Sequence, residues 1–166
     1  LEAMHRYVPF HAISELLAQR AGIGRFETRD VVRQKLHDLV RRPWLEELPE
    51  GTPLPADVAR SLESQAELIG RLPQFRDRPP APGDSSPELV LTRPSEPNEP
   101  TLLVFAAVAA YLRKLSETMP IVLAFRGAEH FDRLSRDILF YLAERLANVP
   151  LFCLFFSRTD LLQLRC

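Results

Sequence analysis

Apolar positions recur at steps of three and four residues through most of the chain, then give way to two short unbroken apolar runs near its end. Phe10, Ile13, Leu16, Leu17 and Ala21 share one face of a helix over residues 10–21, closed by Gly22. Val32, Leu36, Leu39 and Val40 repeat the pattern over 29–42, with Thr28 or Asp30 as cap and Pro43 as stop. Trp44 and Leu45 are then expected to fold back as a plug over the helices. A third helix is predicted from Ala56 to Ile69, with Pro55 at its start, Val58, Leu62 and Leu68 or Ile69 as its stripe, and Gly70 at its end. A long fourth helix runs from Asn98, its cap, to about Thr118. Pro100 suits its first turn, and Leu102, Phe105, Ala106, Ala109, Leu112 and Leu115 form its inward face.

The two apolar runs are Ile121–Phe125 and Leu151–Phe156, each directly after a proline. Their length and their β-branched or aromatic content are those of strands buried on both faces, as in a parallel sheet. Between them Leu134, Ile138, Tyr141, Leu142 and Leu146 line one side of a helix over 132–147. Asp132 and Ser135 are both placed to cap its start, and Asn148 and Pro150 mark its end. Strand, helix and strand make a right-handed βαβ unit, so the expected fold class is α/β with parallel strands 121–125 and 151–156 and a helical N-terminal part.

Residues 71–100 differ from both flanks, holding eight of the fifteen prolines. Proline at that density blocks helix and internal sheet, so the segment reads as an extended, mobile connector, more a spacer than a proline-rich ligand. Within it Glu88–Thr92 has the pattern of a short edge strand. The organisation expected is therefore 1–70 helical, 71–100 connector and 101–166 βαβ core.

Composition narrows the function classes. With 46% hydrophobic and 26% charged residues, 166 positions suit one globular domain, or one domain with an extension. A net charge of −1 offers no general attraction to nucleic acid or an anionic membrane, and neither partner is expected. No apolar stretch approaches the ~20 residues of a membrane span. Two cysteines, Cys153 in an apolar run and Cys166 at the end, suggest neither a disulfide framework nor a metal site and fit a reducing cytoplasm. The chain opens on Leu1 and stops as Thr159–Leu164 begins a helical pattern, so it reads as a piece of a larger protein.

The order of these features resembles a known module. A helix, Met119-Pro120, an apolar strand, a turn ending in Asp132, an amphipathic helix, Asn148-Val-Pro150, a second strand and Ser157-Arg158-Thr-Asp160 resemble the core of the STAND class of P-loop NTPases. More narrowly they are similar to the AAA-like ATPase module of large bacterial signalling proteins, where it accompanies protein kinase, adenylate cyclase or LuxR-type domains. Tyr7-Val-Pro-Phe10 resembles the segment that follows that module's second strand. The resemblance implies a partial P-loop NTPase-like three-layer sandwich and an ATP-driven switch in signal transduction.

Its chemical parts are unevenly present. The phosphate-binding loop G-x-x-x-x-G-K-[ST] is absent: the chain has six glycines and no Gly-Lys pair. Without backbone N–H groups and a lysine on the phosphates, nucleotide affinity is expected to be very weak. The resemblance puts Arg126 and Gly127 where the magnesium-organising and water-polarising acids belong. Glu129 is the one nearby acid, and Glu129 and His130 read best as solvated turn residues. Arg158 occupies the position of a sensor arginine, or else pairs with Asp160. Ser14, Ser61, Ser135, His5, His11 and His37 form no catalytic spacing. The first function expected is a part of a regulatory switch with weak or no ATPase activity of its own, ATP and magnesium being cofactors only of a parent that supplies the missing loop. The second is a degenerate, non-catalytic scaffold whose partners are other domains of the same protein or another protein.

Overall fold

The computed structural model describes residues 10–76 and 99–158. In chain order these form α1 (His11–Ala21), α2 (Arg29–Leu45), α3 (Ala56–Gly70), a single turn α4 (Pro73–Arg76), α5 (Glu99–Thr118), β1 (Ile121–Arg126), a 3-10 turn (Ala128–His130), α6 (Arg133–Arg145) and β2 (Leu151–Phe156). The chain is mostly helical, with a small parallel sheet of two strands among the described residues. Ile121 lies opposite Leu151 and Arg126 opposite Phe156, so the register is unbroken for the whole length of both strands. The Pro-rich stretch, Glu88–Thr92 and the cap expected at Asn98 lie outside the described residues.

Several local expectations are corrected. Pro43 does not stop α2: the helix continues through it to Leu45, and the backbone N–H of Glu46 closes the last turn on Arg42 O at 3.1 Å. A proline this close to the C-terminal end removes one hydrogen bond and leaves only one turn beyond it to disturb. Trp44 is therefore helical rather than folded back, and its ring lies 4.4 Å from Lys114 Nζ, which also pairs with Glu47 and Glu117. The first residues after α3 are not extended either. Leu72 and Phe75 are almost wholly buried, and their burial folds Pro73–Arg76 into a helical turn despite its proline, which sits where no helical N–H is needed. On α5, Leu102 is exposed while Val104, Ala107 and Val108 are buried. That helix lies against α3 and α2 on one side and α6 on another, so its buried surface is wider than one stripe.

One hydrophobic cluster runs through both halves of the chain. Ile13, Leu17, Leu36, Ile69, Phe75, Phe105, Leu112, Ile138 and Leu142 are at most 2% exposed and belong to it together. The ring of Phe105 meets Phe10 edge-on at 5.8 Å and Tyr141 at 5.6 Å, joining α1, α5 and α6 through one aromatic stack.

A second junction is polar. Asp132 is the N-cap of α6, and its carboxylate accepts the N–H of Ser135 at 2.9 Å. The same carboxylate accepts the N–H of Phe10 at 3.1 Å and of His11 at 3.3 Å, two of the orphan donors that begin α1. The Ser135 hydroxyl donates to Asp132 and accepts the Ala12 N–H at 3.4 Å. Phe10 has φ 62°, a left-handed conformation costly to a residue with a Cβ. It is held there by this hydrogen bond and by its buried ring.

The strands depart from expectation in burial. Ile121, Leu123 and Phe125 face the helices, but Val122, Ala124 and Arg126 face outward, and so do Phe152, Leu154 and Phe156 opposite them. Neither strand is buried on both faces. A βαβ crossover covers one face only, and among the described residues nothing lies on the other.

Replacing Asp132 with alanine removes the acceptor for two helix starts at once. The expected loss of stability is about 2–3 kcal/mol, against about 1 kcal/mol for an ordinary N-cap. Urea denaturation of Asp132→Ala beside Ser135→Ala checks it, the serine variant being the milder.

Candidate functional site

The residues singled out for chemistry meet at the carboxyl ends of the two parallel strands. This is the edge at which open α/β sheets bind ligands. Arg126 ends β1, exposed on the open face and opposite Phe156. Gly127 follows at φ 68° and donates its N–H to Phe156 O at 2.9 Å. This left-handed residue reverses the chain into the 3-10 turn, where His130 N–H returns to Gly127 O at 2.9 Å. A Cβ at Gly127 would find only ordinary contact with His130, so the need for glycine there is conformational.

Glu129 is not a solvated turn residue. Its side chain is 10% exposed and reaches across to the end of β2, where Oε1 accepts the N–H of Arg158 at 3.4 Å. Its carboxyl is held below the ordinary value of 4.5, first by its own backbone N–H. Partial desolvation opposes this, while the Ser157 hydroxyl, the Arg158 N–H and nearby His130 add to it. His130 Nε2 lies 3.8 Å from Oε1. Glu129 is thus a latch that ties the turn after β1 to the residue after β2. A turn glutamate gives no such signal in sequence, because the groups it binds are 28 and 29 positions away.

The site does not fit a magnesium-nucleotide. A guanidinium at the end of β1 repels a divalent cation, Gly127 supplies no side chain, and Glu129 Oε1 accepts the Arg158 N–H, which leaves Oε2, buried and without a hydrogen-bond partner, as the one free carboxylate oxygen of Glu129. The backbone agrees with the side chains: a carboxylate-bearing residue at 127 would stand in a left-handed conformation that costs about 1–2 kcal/mol. Arg158 itself is exposed, and Asp160, its other expected partner, lies outside the described residues.

The remaining candidates are apart from this edge. His37 is on α2 and half-buried, His11 begins α1, and Cys153 faces the covered side of the sheet, where burial pushes its thiol up. Two features that sequence reasoning missed are the bonding of Asp132 to α1 and the exposed row Val122, Phe152, Leu154, Phe156. The first joins positions 121 and 122 residues apart, and the second reads in sequence as core. No protein family, no curated protein and no solved structure matches the chain.

Gly127→Ala is expected to lower stability by about 1–2 kcal/mol through backbone strain alone, read from a denaturant midpoint. Glu129 gives a pH signature. Because its folded value is depressed, its contribution is present above the unfolded carboxylate range and is lost as pH falls through the folded value. Thermal unfolding of wild type and Glu129→Gln between pH 7 and 3 should therefore show a gap that closes toward acid.

Proposed function

We propose that this chain is a non-catalytic α/β module of the STAND-type NTPase class, a cytoplasmic scaffold that other domains of the same protein or a protein partner pack against. The observation that carries this reading is the strand end itself. Arg126 ends β1 and Gly127 turns the chain, the positions that by the resemblance belong to the two acids of a hydrolytic member, and Glu129 ties the turn to the end of β2. Support for the class comes from the Phe10–Asp132 hydrogen bond. It joins Phe10, the last residue of one sequence feature on which the resemblance rests, to the aspartate after β1, which belongs to another. In this reading the fold is part of a three-layer sandwich, and the open sheet face is where the third layer packs.

One observation favours a retained nucleotide switch as a second reading. Arg158 leaves a parallel strand at its carboxyl end, a position suited to a phosphate, with its backbone held by Glu129. Isothermal calorimetry with Mg-ATP on this chain separates the two. The scaffold reading expects no tight binding and no phosphate release, since loss of even one charge-stabilising group typically costs a factor of about 10²–10³ in rate. Micromolar affinity, weakened more for ATP than for ADP by Arg158→Ala, would establish the switch.

A further inference from the structure

Apart from the sheet edge, a notch opens in the helical part where the ends of α1 and α2 come together with α5. We infer that this notch binds a single carboxylate group, carried by a peptide segment or by a small carboxylic acid.

Its donors carry the inference. Arg20 in the last turn of α1, Arg42 in the last turn of α2 and Tyr111 of α5 line the notch, together with the buried Leu39 and Leu115 and the exposed Glu46. A basic residue in a helix's last turn is ordinary, because the dipole favours it there. That does not account for two of them converging on one phenol. Tyr111 is 3% exposed, Arg20 hydrogen-bonds its hydroxyl, and the charge of Arg42 also acts on it. Burial pushes the phenol up, against the opposing effect of the two arginines, so at neutral pH it keeps a proton to donate. A guanidinium has only donors, and Arg42 makes no ion pair among the described residues. Donors therefore outnumber acceptors here, and an anion completes the set.

Size and charge select the anion. The enclosed space is about 10 Å³, room for about one oxygen atom. A carboxylate places one oxygen inside and leaves the other in solvent. Two guanidiniums against the Glu46 carboxylate leave a single positive charge, which matches a carboxylate rather than a phosphate group of about −1.5 to −2. An open groove continues from the notch along α2, where Arg41 is balanced by Asp38 and Leu45 is 45% exposed. Leu45 offers apolar contact to a residue near the acid in a bound peptide.

The test is an NMR titration of the whole chain with sodium acetate, sodium phosphate and sodium chloride at equal ionic strength, and with the blocked peptide acetyl-Ser-Asp-Ser-Leu-Ser-amide. Because both arginines are exposed, acetate should bind at about 1–10 mM, shifting the Nε–H signals of Arg20 and Arg42 and the Tyr111 ring. The peptide should give the same shifts about threefold to tenfold more tightly if a protein segment is the source, and its Asn counterpart should give none. Equal affinity for peptide and acetate assigns the notch to a small carboxylic acid. Arg42→Gln, at an exposed position, should weaken acetate about fivefold or more, and so should Tyr111→Phe, which keeps the ring and loses the hydroxyl. The proposal is overturned if chloride gives the same shifts, if phosphate binds more tightly than acetate, or if Arg42→Gln changes nothing. Silence at about 50 mM acetate would also overturn it and leave the notch to a water molecule. Mg-ATP calorimetry probes the strand edge, so neither of its outcomes alters this one.

Discussion

A single carboxylate connects the two halves of this chain. Asp132 begins α6 as its N-cap and also takes the first two N–H groups of α1. Helix starts leave donors that must find acceptors, and a charged acceptor is roughly twice as strong as a neutral one. Because the donors of two helices converge on one group, the position of α1 is set by the turn that leaves β1. The apolar cluster supplies most of the stabilisation but is non-directional, whereas the Asp132 contacts fix orientation. Around that point the left-handed Phe10, the Phe10–Phe105–Tyr141 stack and the Gly127 reversal fall into place.

The same turn sets the functional character of the sheet edge. Between β1 and α6 the chain has six residues in which to reverse, deliver Glu129 to the end of β2 and place Asp132 under α1. Glycine at 127 and glutamate at 129 serve that path. A divalent site would require more than one free carboxylate, and among the described residues this edge offers Glu129 with one oxygen bonded and an arginine beside it. Beside it, the open face of the sheet carries the apolar row Val122, Phe152, Leu154 and Phe156.

Sequence reading recovered what depends on local periodicity. The apolar runs located both strands and their parallel pairing, and the three-and-four spacing located five helices. It failed where the deciding partner is remote. The run Leu151–Phe156 has no alternation, so nothing in it distinguishes a strand buried twice from one whose outer row, Phe152, Leu154 and Phe156, is open. The intrinsic preference of Pro43 and Pro73 is against helix, yet burial of Pro43, Leu72 and Phe75 overrides it. The spacing of Asp132 marks it as a cap for the helix it precedes, and carries no sign of its bonds to α1.

Native-state hydrogen exchange tests most directly whether Asp132 makes one unit of the two halves. The amides of Phe10, His11 and Ser135 all donate to that carboxylate. They should open with one free energy and one denaturant dependence, as members of a single cooperative unit do. Exchange of Phe10 and His11 through a low-energy fraying of α1, while Ser135 stays protected to the global limit, would contradict the account.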